Sequence, residues 1–383
     1  MNVVFLVLGA VALAGGIAVW VVWQVGSGRR MGNRRLIGTV FVATGMFAIV
    51  TGWLLTGSDI DRSEALKTGG LAAGSVVALY ALWLNDRRRR VDEVRQDLER
   101  QRQDLESRRA EHDRERAADE RFLRAVELLG SDADQVRVGA LHALAGLARS
   151  RPPYTQDVLD VICSYLRRPF DHPRHAARRG ATAEADTDAD RWLQVRLTAQ
   201  RLIADLLPEV GTPDAQEYNL DLHGATLEYF DVSGRVIGQL RAREVDLYES
   251  NSFHHCEMRG PVWFTGSRNW GRLYLHDVTF RDRSWFSRFT SKDLVDFANT
   301  EFHGTTKFAS STWDGRVSFA AARFDHNVDF TEAAFRGDLD LRVSGGLTGR
   351  TIGMTVSTRH QHDLPSAWRV DTSRDEETGL VRS

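Results

Sequence analysis

The chain has 383 residues, and 50 Lys and Arg nearly balance 52 Asp and Glu, which gives a formal net charge of −2. This balance excludes a generally basic nucleic-acid coat and a strongly acidic chain. The two cysteines, Cys163 and Cys256, have no CxxC or Cys/His spacing, which excludes a disulfide framework and a structural zinc site.

Three apolar runs open the chain. Residues 3–25 and 36–55 carry no charge, and each is long enough to cross a hydrocarbon core of about 30 Å as a helix. Residues 65–84 contain one charge, Lys67, near their start, where a lysine can reach the membrane interface. The sequence therefore predicts three transmembrane helices within residues 1–85. A cleaved signal peptide is the alternative interpretation of the first run.

Charges beside these runs predict their orientation. Residues 56–64 are mainly acidic, and the other two flanks are strongly basic. The basic residues are Arg29, Arg30, Arg34 and Arg35 after the first run, and Arg87, Arg88, Arg89 and Arg90 after the third. Because positive flanks stay in the cytoplasm, we expect the N-terminus outside, residues 86–383 in the cytoplasm, and membrane lipid as one partner. The runs contain no acidic residue or histidine, which favours an anchor over a transporter.

Residues 86–121 have no Gly or Pro and are rich in both charges, which predicts a charged helix. It has two interpretations. One is a solvated single helix stabilised by i,i+4 charge pairs. The other is a short parallel coiled coil, and hence a homo-oligomer through residues 86–112, because four apolar residues follow a coiled-coil spacing. These are Val91, Val94, Leu98 and Leu105.

The next residues predict a small helical region. Residues 122–168 have the pattern of a HEAT-like helix pair, interrupted by Pro152 and Pro153. Residues 169–190 are rich in Arg, Ala and Asp and predict a flexible loop. Residues 191–217 predict an amphipathic helix and a linker, which we expect to cap the exposed edge of the domain that follows.

A repeat of 11 residues dominates the region 218–345. One position of the repeat is large and apolar nine times in succession, at Phe253, Phe264, Leu275, Phe286, Phe297, Phe308, Phe319, Phe330 and Leu341. A second position, five residues later, adds Phe302, Trp313, Phe324 and Phe335, whereas Asn269 and Ser291 interrupt it. Small residues precede many of these positions by two. Such short alternations between frequent turns predict stacked strands and exclude a helix.

The segments NLDLHGATLEYFDVSG and FANTEFHGTTKFASSTWDGRVSFAAARFDHNVDFTEAAFRG resemble the pentapeptide-repeat family, whose unit is Ala-Asp/Asn-Leu/Phe-x-x. The resemblance implies a right-handed quadrilateral β-helix, with the repeated apolar residues as its core. At 20–22 residues a coil, residues 220–341 give roughly six coils about 4.8 Å apart. Residues 346–383 are then a C-terminal cap that ends in a disordered tail. The order of spans, helices and repeats also resembles membrane proteins of GC-rich bacteria, which implies the inner membrane.

No P-loop, GxGxxG or nucleophile-elbow motif is present. We therefore predict that the chain is not an enzyme and has no catalytic residue, cofactor or small-molecule substrate. The densest group of metal-ligand side chains spans residues 254–257, two histidines followed by Cys256 and Glu257. Adjacent residues point to opposite sides of a coil, so at most two could share an ion, and we predict no metal site.

These observations predict a membrane-anchored scaffold that presents its β-helix to an unidentified cytoplasmic protein. One alternative is a regulator that recognises anionic lipid through its arginines. Another is a DNA mimic that modulates a topoisomerase. Mimicry needs an acidic rod, but residues 218–345 hold 18 acidic and 15 basic residues, so nucleic acid and its mimicry are not favoured.

Overall fold

The computed structural model describes residues 2–24, 32–55, 62–182, 184, 186–373 and 377–382. The chain forms two compact units, Met1–Asp113 and Arg114–Ser383. Helices occupy the first unit and the beginning of the second, and short strands occupy the rest.

The first unit contains α1 (Asn2–Gln24), α2 (Gly32–Leu54) and the beginning of α3 (Arg62–Leu129). The helices α1 and α2 run antiparallel in close contact. A Cβ added to Gly9 would lie 2.9 Å from the Ala48 Cβ, and one added to Gly45 would lie 2.6 Å from the Leu13 backbone nitrogen. Small residues permit such approach in membrane helices. Among the described residues, two helical segments are long and apolar enough to cross a membrane, Ile37–Leu54 and Ser63–Asp86, and Val7–Ala18 is a shorter apolar stretch.

The helix α3 is continuous for 68 residues. It joins three segments that the sequence analysis treats separately, namely the third apolar run, the charged helix and the first helix of the HEAT-like region. The predicted boundaries after residues 85 and 121 are therefore not helix ends. The physical reason is that residues 86–129 contain no Gly or Pro, the two residues that most strongly end a helix.

The second unit begins with a helical layer. After the end of α3 come α4 (Asp134–Ser150), a 3₁₀ turn (Pro152–Tyr154), α5 (Thr155–Leu166), α6 (Pro173–Arg178) and α7 (Thr187–Leu206). The helices α4, α5 and α7 pack on one another through buried residues such as Leu144, Ile162 and Ile203. These residues belong to the same apolar cluster as the core of the strand region.

The predicted loop 169–190 differs from the structure in two ways. It contains the short helix α6, and α7 begins within it because the Asp186 side chain accepts hydrogen bonds from the Asp188 and Ala189 backbone nitrogens. His172 and His175 are buried. Tertiary contacts of α6 therefore order part of a segment whose composition favours a loop.

The strands form a solenoid with four faces. Face 1 is entirely parallel, in the order β1 (Leu220–Asp221), β4 (Leu240–Arg241), β8 (Val262–Trp263), β12 (Ser284–Trp285), β16 (Thr306–Lys307), β20 (Val328–Asp329) and β23 (Gly349–Arg350). Face 2 contains β2 (Thr226–Glu228), β5 (Asp246–Tyr248), β9 (Arg268–Asn269), β13 (Thr290–Ser291), β17 (Thr312–Trp313), β21 (Ala334–Phe335) and β24 (Thr355–Ser357).

The other two faces are also parallel. Face 3 contains β6 (Ser250–Ser252), β10 (Arg272–Tyr274), β14 (Val295–Asp296), β18 (Val317–Ser318), β22 (Leu339–Asp340) and β25 (His362–Asp363). Face 4 contains β3 (Val236–Ile237), β7 (Glu257–Met258), β11 (Thr279–Phe280), β15 (Glu301–Phe302) and β19 (Arg323–Phe324). Pairings such as Ser284 with Thr306 and Val295 with Val317 give a coil of 22 residues. Face 1 has seven strands. The solenoid therefore has about one coil more than the roughly six coils that the repeat length predicts.

The repeated apolar residues fill the interior of the solenoid. Of the thirteen predicted core residues, twelve are at most 1% exposed, and Phe324 is partly buried against them. The Phe286, Phe308 and Phe330 rings form one stack, with centroids 5.3 and 5.2 Å apart. The Phe297 and Phe319 centroids lie 4.8 Å apart, which is the spacing of paired strands.

Two polar residues that interrupt the repeat also point inward. Asn269 and Ser291 are fully buried, and the Asn269 Nδ2 donates a hydrogen bond to the Ser291 Oγ at 2.9 Å. They occupy equivalent positions of adjacent coils. The interruption is thus a hydrogen-bonded pair that replaces two stacked apolar residues and leaves the coil geometry intact.

The C-terminal end of the solenoid extends beyond residue 345, where the sequence analysis ends the repeats. The parallel pairing continues through Val328 with Gly349, Phe335 with Val356, and Leu339 with His362. An antiparallel hairpin of β26 (Arg369–Asp371) and β27 (Thr378–Arg382) then pairs with β24. The described part of the predicted tail is therefore a structured end that pairs the last strand of face 2.

The helices satisfy backbone groups at the N-terminal end. The Gln156 side chain of α5 donates to the Asn219 carbonyl at 3.0 Å and accepts from the Asn219 nitrogen at 2.8 Å. On α7, the Gln200 Oε1 accepts a hydrogen bond from the Glu228 nitrogen at 3.2 Å. The first coil therefore meets side chains of α5 and α7 where an open edge would expose unpaired polar groups.

Replacing Gly315 with alanine is expected to destabilise the solenoid by about 2 kcal/mol, because the added methyl would overlap the Asp293 backbone of the preceding coil. The control is Gly346→Ala, since a Cβ at Gly346 meets no atom within 4 Å. Denaturant unfolding of both full-length variants is the measurement. Equal stability of the two would contradict the close approach of these coils.

Candidate functional site

Face 1 carries a row of cationic and aromatic side chains on its outer surface. The second residue of each strand there points away from the core, which places Trp263, Trp285 and Lys307 in one column. The Arg283 guanidinium lies 5.6 Å from the Trp263 ring centroid and 5.5 Å from that of Trp285. Arg243 lies 5.3 Å from Trp263, and the Lys307 Nζ lies 5.0 Å from Trp285. We call these five residues the cation–aromatic strip.

The strip carries positive charge without a matching carboxylate. Among the described residues, its cations Arg243, Arg283 and Lys307 form no ion pair within 4.0 Å. Several arginines elsewhere on the solenoid are paired, as in Arg268 with Asp246 at 2.6 Å on face 2. Cation–π contact holds the three cations over the two indoles. This strip is not among the sites predicted from the sequence, although the 22-residue spacing of the two tryptophans is a signal for it.

A histidine cluster occupies the corner between faces 3 and 4. We use this name for His254, His255, His276 and Asp277. The His254 and His276 rings stack with centroids 4.9 Å apart, and the His276 Nδ1 lies 2.8 Å from the Asp277 Oδ2. The hydrogen bond with His276 holds the pKa of Asp277 below its usual range. Burial, followed by the charges of His276 and His255, lowers the pKa of His254.

In the sequence, only the adjacent residues 254–257 stand out as candidate metal ligands at this corner. In the structure, Cys256 is 2% exposed and belongs to the core, and Glu257 lies on β7. The partners of His254 and His255 come instead from the next coil, 22 residues later. Burial raises the pKa of the Cys256 thiol to about 12, so this thiol stays protonated and inward.

The helix α6 covers part of face 2. The His175 Nε2 lies 3.0 Å from the Glu228 Oε2, and these side chains are each 2% exposed. The His175 ring also stacks on Tyr248, with centroids 3.8 Å apart. The first strands of face 2 are therefore occupied by the chain itself. On face 1, Arg243 and Arg283 are exposed, Trp285 and Lys307 are half-buried, and Trp263 is 9% exposed under the two arginines.

The arginines that are predicted to orient the membrane helices lie partly within helices and partly outside the described residues. Arg34 and Arg35 lie in the first turn of α2, and residues 87–90 lie within α3. Arg29 and Arg30 lie outside the described residues. The arginines within α2 and α3 therefore flank the apolar segments of these helices. The direction in which the segments cross the membrane stays a prediction.

Comparison with known proteins supports the repeat. Residues 297–344 match the family model described as Pentapeptide repeats (9 copies). No curated protein and no solved structure matches the chain. The matched residues lie within the parallel four-faced region, where their large apolar side chains form the stacked core. The chain thus contains pentapeptide repeats, and these form a β-solenoid.

Proposed function

We propose that this protein is a membrane-anchored, non-enzymatic scaffold whose solenoid binds an acidic segment of a partner protein through the cation–aromatic strip. The observation that carries the proposal is the strip itself, in which three cations without a carboxylate partner surround two tryptophans. The pentapeptide repeats of this chain are consistent with a role in binding another protein.

The chemistry of the strip favours a protein partner with carboxylates. Tryptophan and arginine are the residues that most often dominate binding energy at protein interfaces. Unpaired cations attract acidic side chains and orient their approach. The parallel ladder holds Trp263 and Trp285 in register, so binding requires little ordering of the scaffold.

Anchoring is supported by the surfaces of the first unit. Apolar side chains such as Val11, Leu71 and Leu79 are 65%, 76% and 67% exposed, and helices with such surfaces are suited to lipid. We propose three spans within residues 1–85, the first of them in α1, in the inner membrane of a bacterium. In this proposal the N-terminus lies outside and residues 86–383 lie in the cytoplasm, because basic flanks favour the cytoplasmic side.

A homo-oligomer through residues 86–112 is part of this proposal. Leu98 and Leu105 of α3 are 52% and 53% exposed. Two apolar residues seven apart on a charged helix can pack against a second copy of that helix. Pairing of two copies would raise the local number of strips and strengthen binding to a partner with several acidic segments.

The test is site-specific crosslinking in living cells that express the full-length protein. A photo-crosslinking residue replaces Thr305, which is exposed beside Lys307. The strip variant is Arg283→Glu with Lys307→Glu. Its matched control is Lys292→Glu with Arg336→Glu, which makes the same charge change around Asp314 on face 2.

We expect a crosslink to an acidic protein segment in the control variant and its loss in the strip variant. Mass spectrometry of the crosslinked peptide gives the charge of that segment. Retention of the crosslink in the strip variant, equal loss in both variants, or a basic segment would contradict the proposal.

A further inference from the structure

We propose that His255, His276 and Asp277 bind one divalent transition-metal ion, of the zinc type. One ligand atom from each of the three side chains lies within 4.8 Å of the others. Rotation of the exposed His255 side chain would bring these atoms to the separation that ligands of one ion require, because zinc–nitrogen and zinc–oxygen bonds are each about 2.0–2.2 Å.

The solenoid backbone fixes these residues in adjacent coils. The His255 nitrogen donates to the His276 carbonyl at 3.1 Å, and the Asp277 nitrogen donates to the Ala298 carbonyl at 2.8 Å. His255 and Asp277 occupy the same left-handed corner position, with φ of 59° and 57°. The backbone of a site built on such a ladder is held in place before the ion arrives, which lowers the cost of binding.

Neighbouring side chains orient the ligands. His276, together with the Asn299 side chain of the following coil, holds the pKa of Asp277 below its usual range through hydrogen bonding. His254 stacks on His276 and pairs through its Nδ1 with the Ser252 hydroxyl. Hydrogen-bonded and stacked neighbours of this kind fix ring orientation around metal ligands.

The ligand set indicates the class of ion. Two imidazoles and one carboxylate suit zinc and similar transition ions, whereas Mg²⁺ and Ca²⁺ prefer oxygen ligands alone. An open groove of about 610 Å³ adjoins the cluster, and His255 and Asp277 are among its lining residues, together with Glu257 and Arg281. Coordination positions that the three side chains leave free would face this groove, where water can enter.

The experiment is a Zn²⁺ titration by calorimetry of the full-length protein in detergent, purified with a tag that contains no histidine and treated with chelator. We expect one strong site per chain, and visible absorption of the Co²⁺ form with nitrogen and oxygen ligands. His276→Ala is expected to weaken Zn²⁺ binding by at least about tenfold, and Asn299→Ala by about tenfold.

The matched control is His303→Ala. His303 also contacts a carboxylate one coil away, the Asp325 Oδ2 at 2.6 Å, but it is not part of the cluster. Circular dichroism checks the fold of each variant, and the exposed His255→Ala decides the matter if His276→Ala unfolds. Absence of a strong site, or equal affinity in the cluster variants and the control, would overturn the proposal. Because the cluster lies apart from the strip on face 1, neither result changes the scaffold proposal.

Discussion

Replacing Phe308 with aspartate is expected to remove hydrogen-exchange protection from the C-terminal coils of the solenoid. Phe308 is fully buried, and its ring stacks between Phe286 and Phe330 at 5.3 and 5.2 Å. The change removes the ring from a close-packed column and buries an unpaired carboxylate, at a combined cost of more than about 5 kcal/mol. Phe319→Asp should act in the same way, because its ring contacts the Phe308 ring at 5.3 Å.

Exchange is measured by mass spectrometry on the full-length protein, so that each coil is followed separately. Thr305→Asp is the control, since Thr305 lies in the same coil and is exposed. Nearest-neighbour coupling predicts that protection falls most in the coils around residue 308 and less toward residue 220. Unchanged protection around Phe308 in the Phe308→Asp protein would refute the stacked core.

Replacing Arg196 with leucine is expected to cost about 3–5 kcal/mol and to loosen the first coil from the helices. Arg196 is 3% exposed, and its guanidinium donates to the Leu166 carbonyl at 2.6 Å and the Thr226 carbonyl at 2.8 Å. It therefore joins the C-terminal end of α5 to β2. Burial lowers the pKa of Arg196 to about 10, so the group still carries its charge near neutral pH.

The control for this change is Arg191→Leu, because Arg191 lies on the same helix with a side chain that is 65% exposed. Thermal unfolding and hydrogen exchange of residues 155–232 are the measurements. We expect a lower unfolding temperature and faster exchange at β1 and β2 for Arg196→Leu alone. Equal behaviour of the two variants would show that the buried guanidinium does not hold the helices to the solenoid.

The sequence alone determines the repeat and its core. Each coil presents the same short apolar alternation, so local spacing is enough to predict which side chains stack, as at Phe297, Phe308 and Phe319. Even the polar interruptions, Asn269 and Ser291, lie at the register that the 11-residue spacing gives them. The apolar runs and the helix-forming residues 86–121 are likewise local properties of the chain.

Only the tertiary structure decides what lies side by side on the surface and at the ends. His255 meets His276 and Asp277, and Trp263 meets Arg283, because strand pairing brings residues about one coil apart into contact. Neighbours in the chain reveal neither group, because each group joins residues of different coils. Composition also predicts a loop at residues 169–190, whereas contacts of His175 with Glu228 and Tyr248 hold α6 in place. Local patterns fix the fold of a repeat, but a binding surface depends on contacts between separate coils.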